Sequence, residues 1–379
     1  MSLGRITILS SVHLALDNRV FYREARTLAR AGYDVTLIAV HDRDEVRDGV
    51  RIQGLPRVPR NRRPLLWRML GRMAQATAAD AFHIHDPELL VLTPWLRHAT
   101  GRPTIYDIHE ANADFIAVKD YIPGAVRRPL AGLFRLMEPR LVTSESGLIF
   151  ADDAIATDFA AFRGPKTTLF NFPGDELIAA GTEVASGRDP GVLYLGGLER
   201  NRGSALMIET FAQVVAVMPE ARLLLVGHFM PPGLEEEVRA AATARGIAGA
   251  VEIIGRVPFD RISDYLRRAR VGWVTWQPVA KNRKNIPTKL FEYMAFGLPV
   301  VSSDLPSTRP FVAPEVGLLP AADDPAAHTA ALLELLGNPL QAAAMGAAGR
   351  RLVEKRYNWS AMEPRLLGLY EEVLKAGRG

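Results

Sequence analysis

Apolar positions along the chain fall into short continuous runs, separated by longer stretches in which they recur at helical spacing. Residues 6–10 form such a run, followed by a helical pattern over 18–31 and a second run over 34–40. Further runs cover 81–85, 103–108, 147–150 and 167–170. Runs of this length with turn residues on either side read as buried strands, and their alternation with helices predicts a parallel sheet covered on both faces. Residues 173–190 are polar and aperiodic, which suits a connection between domains. The alternation then restarts with 191–195, a helix over 203–217, and strands at 222–226, 251–254, 271–276 and 298–302. The pattern predicts an α/β protein of two successive Rossmann-like domains, 1–172 and 173–358, with a ligand cleft between them. A closing helix is expected over 360–375, within 359–379. No internal repeat or low-complexity segment interrupts the pattern.

At 379 residues the chain exceeds one comfortable core, which agrees with two domains. No apolar run reaches the length of a membrane span, and the first residues lead straight into a strand, so a cytoplasmic protein is expected. The absence of cysteine excludes disulfides, thiolate metal sites and cysteine nucleophiles. A net charge of +4 does not by itself call for nucleic acid, and none is expected as a partner. The distribution of charge says more. Between Asp48 and Asp80 there is no acid, while Arg57, Arg60, Arg62, Arg63, Arg68 and Arg72 fall there, interleaved with Leu65, Leu66, Trp67, Met69, Leu70 and Met73. Such a helix either rests on an anionic lipid surface, placing the protein on the inner face of the membrane, or turns its apolar side to the core and leaves its arginines in water.

Candidate chemistry concentrates in NIPTKLFEYMAFGLPVVSSDLP, residues 285–306. Asn285 is expected as an N-cap, Pro287 in the first turn, a helix over 288–296 closed by Gly297, and a strand over 298–302. A helix start near Thr288 would aim N–H groups at an anion. Lys289 and Glu292, one turn apart, would set a cation for phosphate beside a carboxylate for hydroxyls, the two needs of a sugar nucleotide. By itself the same text also describes an ordinary capped helix with a surface ion pair. Earlier, YLGGLERNRG (194–203) joins a strand to a helix through Gly197, Arg200 and Arg202; it reads as a phosphate-facing turn or as a plain loop. In the first half, His109 follows strand 103–108 at its carboxyl end, where open α/β sheets gather ligands. Asp107 is expected on the opposite face as a structural residue. His83 and His85 share a strand face but lack further ligands at metal-site spacing, so no metal is expected, and Asp42-Arg43-Asp44 reads as a solvated loop.

The segment from Asn285 to Val301 resembles the nucleotide-sugar motif of retaining glycosyltransferase family 4, which has the GT-B fold. Asn285, Pro287, Lys289, Glu292, Tyr293 and Met294 fit its N-x-P-x-K-x-x-E-Y-M version, although Lys284 stands where the family usually has a first glutamate. The resemblance extends over nearly the whole chain and implies that the closing helix, within 359–379, crosses back to the first domain. It implies a hexosyltransferase that takes a UDP- or GDP-linked sugar as co-substrate, without a metal or other cofactor. It assigns Glu292 to the ribose hydroxyls, Arg202 and Lys289 to the diphosphate, and the backbone near Arg256 and Val257 to the base. It also gives His109 contact with donor sugar and acceptor. His13, Asp17, Asn18 and Arg19, in a loop resembling a D-N-R-V subset, are implied to face the acceptor, with Asp17 capping the next helix; capping alone would explain the loop equally well. The acceptor is expected to be a glycan or a lipid-linked molecule of cell-surface synthesis. A nucleotide-sugar epimerase of similar fold and a non-catalytic nucleotide-sugar binder are the rival readings.

Overall fold

A computed structural model describes residues 2–119, 122–182, 189–258 and 261–377. The chain divides into two compact units, one comprising Met1–Ala117, Gly124–Asn171 and Trp359–Gly379, the other Val118–Pro123 and Phe172–Asn358. Part of the expected connection, 183–188, lies outside the described residues.

The first unit is built on β1 (Arg5–Leu14), β2 (Asp34–Val40), β3 (Glu45–Arg47), β4 (Val50–Leu55), β5 (Ala81–Ile84), β6 (Thr104–Ile108), β7 (Gly147–Phe150) and β8 (Lys166–Thr168). Their order is β3-β4-β2-β1-β5-β6-β7-β8, parallel except for the β3–β4 hairpin at one edge. Its helices are α1 (Arg26–Arg30), α2 (Pro64–Ala76), α3 (Thr93–Thr100), α4 (Asn112–Val118), α5 (Gly124–Leu141) and α6 (Asp153–Ala156). Connections β4–α2–β5, β5–α3–β6 and β6–α5–β7 all advance across the sheet in one direction, so right-handed crossovers put α2, α3 and α5 on the same face. One apolar cluster confirms this layer, uniting Leu70 and Ala74 of α2, Leu96 of α3, and Phe82, Ile84, Tyr106 and Phe150 of the strands.

The second unit has β9 (Gly191–Leu195), β10 (Arg222–Val226), β11 (Val251–Gly255), β12 (Val271–Val274), β13 (Val300–Ser302) and β14 (Gly317–Leu318), all parallel in the order β11-β10-β9-β12-β13-β14. Its helices are α7 (Asp175–Ala180), α8 (Ser204–Val217), α9 (Leu234–Ala244), α10 (Ile262–Arg268), α11 (Ala280–Lys284), α12 (Lys289–Ala295), α13 (Pro325–Gly337) and α14 (Pro339–Lys355). The core joins Val192, Tyr194, Phe211, Leu223 and Trp273. The closing helix α15 (Glu363–Ala376) belongs to the first unit, where the Tyr370 hydroxyl lies 2.8 Å from His83 Nδ1.

Several expectations need correction. Asn285 does not cap α12; it ends α11, its N–H donating to Lys281 O at 2.9 Å, and Thr288 is the residue before α12. Pro287 likewise precedes the helix rather than lying in its first turn. On α2 the apolar side is mostly turned inward: Leu66 and Leu70 are buried, and Trp67 and Met73 pack on the core. Leu65 and Met69 remain exposed beside the arginines.

Candidate active site

In the second unit, β9 runs into Gly196, whose φ of +106° belongs to the region open chiefly to glycine. A side chain there would also approach Lys289 Nζ, which lies 3.5 Å from the position of the missing Cβ. The turn continues through Arg200–Arg202 to Gly203, where a Cβ would stand 2.1 Å from Thr275 O, and then enters α8. Backbone thus passes close on both sides of the turn, leaving its inner face to Lys289, Arg202 and His228. Arg202 donates to Gly197 O at 3.2 Å and pairs with Glu199 Oε1 at 3.2 Å, with its guanidinium 5.7 Å from the Trp276 ring centre. His228 approaches Gly197, and burial together with the nearby charges of Arg256 and Arg202 lowers its pKa.

Lys289 is the unusual member of this group. It is 4% exposed, and its ammonium sits 3.5 Å above the Tyr194 ring centre. Among the described residues Nζ has no hydrogen-bond partner. Burial, reinforced by Arg202, holds its pKa well below the usual lysine range, with Glu292 and Glu199 opposing. A buried lysine amine that faces a ring and a glycine turn, with no acceptor among the described residues, is a group that an arriving anion would satisfy. Tyr293 holds the helix in place: its hydroxyl accepts from Leu195 N at 2.9 Å, and its ring lies where a side chain on Gly272 would otherwise fall. Glu292 is half-buried on the same helix.

Other expected donor residues are placed differently. Arg200 turns outward, with both guanidinium ends 2.6 Å from the Glu237 carboxylate. Arg256 is exposed and Val257 half-buried, just after β11. Asn285 and Pro287 are buried. The N–H groups of Leu290, Phe291 and Glu292 are already bonded to Pro287 O and Thr288 O, so the start of this short helix is largely satisfied within itself.

In the first unit, His109, His13, His85 and Asp107 gather at the carboxyl ends of β1, β5 and β6. The expectation that Asp107 faces away is wrong: residues two apart share a face, and its Oδ2 lies 3.0 Å from His109 Nε2. His85 Nδ1 is 2.9 Å from the same nitrogen. Arg19, expected to face the acceptor, is turned into the domain. It is buried, donating through Nε and Nη2 to Asp107 at 2.7 and 2.9 Å and through Nη1 to Leu169 O and Asn171. Asp17 accepts from Arg19 N and Val20 N, capping the wide first turn of the next helix. His13 sits between Asp17 and Asp86; burial alone would lower its pKa, but these carboxylates raise it to about 9. Asn18 is half-buried in this loop.

Glu24 and Asp107 supply what the spacing of His83 and His85 lacked, since all four groups converge within 4.8 Å and are buried. Arg19, however, already carries positive charge into that cluster, 3.0 Å from Glu24 and 2.7 Å from Asp107. Burial, followed by Asp107, raises the Glu24 pKa well above the carboxylate range, against the pull of Arg19. Asp42 and Asp44 lie in the loop after β2, where Asp44 accepts from Gly54 N at 2.8 Å, a turn contact.

The combination of two parallel α/β units with a glycine–arginine–lysine turn in the second is matched by two family models. A "Glycosyl transferase 4-like domain" covers residues 18–172, and "Glycosyl transferases group 1" covers residues 189–338. The chain belongs to the group 1 glycosyltransferases of family 4. This glycosyltransferase is 25% identical over 306 residues to the phosphatidyl-myo-inositol mannosyltransferase of Mycobacterium leprae, covering 79% of this chain and 75% of that one. It is 29% identical over 210 residues to a D-inositol 3-phosphate glycosyltransferase of Segniliparus rotundus, covering 54% and 45% of the two chains. Among solved structures, a sucrose-phosphate synthase from Thermosynechococcus elongatus superposes with a TM-score of 0.77 at 19% identity, covering 98% and 99%. Anabaena HepE in complex with UDP and glucose superposes with a TM-score of 0.75 at 14% identity, covering 97% and 99%. These likenesses give the glycosyltransferase its fold, GT-B.

Tyr194 and Glu199 were given no role from sequence, and Tyr293 entered only as a motif position. Only the two-residue spacing of Asp107 and His109 carried a readable signal for that pair.

Proposed function

We propose that this glycosyltransferase transfers a hexose, with retention, from a UDP- or GDP-linked sugar to the hydroxyl of a lipid-linked or glycan acceptor in cell-surface synthesis. The observation that carries the donor reading is the buried Lys289 ammonium at the Gly196–Gly197 turn, which has no hydrogen-bond partner among the described residues, with Arg202 beside it. A diphosphate would give Lys289 its missing acceptor, and Glu292 would take the ribose hydroxyls. As the bond from sugar C1 to phosphate oxygen breaks, its electron pair passes to the diphosphate, and Lys289 and Arg202 stabilise that charge. The acceptor oxygen bonds to C1 from the same face, and its proton goes to the departing phosphate oxygen. His109, its Nε2 held by Asp107 and His85, orients the sugar or acceptor through its other nitrogen. Fixed cations make a metal unnecessary in this scheme.

Similarity to enzymes named for phosphatidyl-myo-inositol and inositol 3-phosphate supports an acceptor with hydroxyls beside a phosphate. It also favours transfer over epimerisation or mere binding. The exposed arginines of α2 support peripheral contact with an anionic membrane at the cytoplasmic face. Screening the purified protein by thermal shift against UDP- and GDP-hexoses tests the donor reading. Stabilisation by one of them, with slow release of its nucleoside diphosphate, is expected. Failure of every nucleotide sugar to stabilise the protein would reject it.

A further inference from the structure

Helix α5 lies on the same face of the first sheet as α2 and α3, yet it turns little of itself toward the core. Only Ala131 and Glu138 are buried. Val126, Leu130, Leu133, Met137 and Leu141 recur at intervals of four, three, four and four, so they form one stripe along the helix, and all are exposed. Leu133 is 54% exposed, and Leu136, beside the stripe, 60%. This row of large apolar side chains is far longer than the scattered exposed residues normal for a soluble surface.

The exposed charges that α5 itself carries have one sign, while Asp158 lies across from Arg135 and Glu138. Arg128, Arg135 and Arg140 are exposed on α5, with Arg135 paired to Asp114. The helix's single acid, Glu138, is turned inward to accept from Tyr106 Oη at 2.9 Å and Asn112 Nδ2 at 2.8 Å. On the same layer, α2 exposes Arg68 and Arg72, and the turn before it Arg62, around Leu65 and Met69, and half-exposed Trp95 of α3 packs on Gly71. An apolar stripe calls for a non-aqueous partner, and two helices whose own exposed charges are all arginines call for an anionic one.

We infer that α5 is the principal membrane-docking element, its stripe entering the headgroup layer of an anionic bilayer while α2 adds longer-range attraction. The inference rests on the membrane contact proposed above and moves its centre from α2 to α5. Glu138 ties the docking helix to Asn112, three residues beyond His109, so a lipid-linked acceptor would be presented near the histidine end of β6. Exposed side chains contribute little to folding, which makes the surface open to substitution.

The absence of cysteine allows a single Leu133→Cys to carry an environment-sensitive fluorophore, with Val217→Cys, exposed on α8, as control. With phosphatidylglycerol vesicles at low salt, the label at 133 should shift to the blue and that at 217 should not; phosphatidylcholine should give little shift, and high salt should reverse it. In co-sedimentation, Leu133→Glu with Met137→Glu should weaken vesicle binding by roughly tenfold or more. Arg62→Glu with Arg68→Glu should mainly reduce the salt-sensitive part, by about a factor of five for each arginine. Thermal unfolding and nucleotide-sugar affinity should match wild type in every variant. If the α5 variant binds vesicles like wild type while the α2 variant does not, this inference fails and the earlier membrane reading stands. If wild type ignores anionic vesicles, both fail. A shift at 133 that follows protein concentration without vesicles would overturn it in favour of self-association.

Discussion

Replacing Lys289 with methionine should have opposite effects on the free and liganded protein. The ammonium is buried, faces the Tyr194 ring and lacks a hydrogen-bond partner among the described residues. Methionine nearly matches its length and removes the charge. Releasing an unsatisfied buried donor should stabilise the free protein by roughly 1–3 kcal/mol. The same change removes a charge-assisted bond to the donor diphosphate, about 1.5–3 kcal/mol, or roughly 10- to 150-fold in affinity. The depressed lysine pKa adds a pH signature. The unfolded chain binds the proton more readily than the folded one, so wild-type stability should climb as pH rises toward about 10.4, a slope the methionine variant lacks. Denaturant unfolding and calorimetric titration with the nucleotide sugar measure the two effects. A variant that is less stable and binds the donor unchanged would refute the reasoning, because Lys289 would then be a structural cation.

Glu292→Ala should weaken nucleotide binding by roughly 1.5–3 kcal/mol; unchanged affinity by calorimetry in a folded variant removes it from the site. Tyr293→Phe leaves the buried Leu195 N–H without its acceptor and should cost about 1–3 kcal/mol in denaturant unfolding, whereas wild-type stability would mean that the bond is dispensable. Burial raises the Glu138 pKa from 4.5 to about 7 against the bonds from Asn112 and Tyr106. The folded chain therefore holds that proton longer, and wild-type stability should fall between pH 4.5 and 7. Glu138→Gln, which keeps the accepting oxygen, should flatten that fall and be roughly 2–3 kcal/mol more stable than wild type at pH 8; parallel curves would contradict the assignment.

Much of this fold was legible because fully buried parallel strands are continuous apolar runs: β2, β7, β9 and β10 have the bounds their sequences suggest. Strands at one margin of each sheet escaped notice, β3 and its neighbour β4 in the first and β14 in the second. Val50–Leu55 mixes buried, half-buried and exposed positions among arginines, and Gly317–Leu318 is too short to carry a period. At the site, Gly197, Arg202 and Lys289 were readable because glycine and basic residues at a strand–helix turn restrict the choices. The partners of Arg19 were not. Its guanidinium meets a carboxylate 88 residues away, and a sequence does not say which of several acids folding will bring near. Asn285 was misread for a local reason: a short helix ends on it, so the backbone that would have capped α12 is already committed. On α2, apolar content alone could not separate a core-facing side from a lipid-facing one, whereas on α5 the exposure of the stripe shows that it does not face the core.

The most direct test of the central claim follows the anomeric proton by NMR while purified protein acts on its UDP- or GDP-hexose in the presence of EDTA. The account predicts turnover without added metal, with the sugar first appearing in the same anomeric configuration that it had in the donor. Inversion at C1, or activity abolished by EDTA and restored by Mn²⁺ or Mg²⁺, would contradict it, the latter turning attention to Glu24, His83, His85 and Asp107.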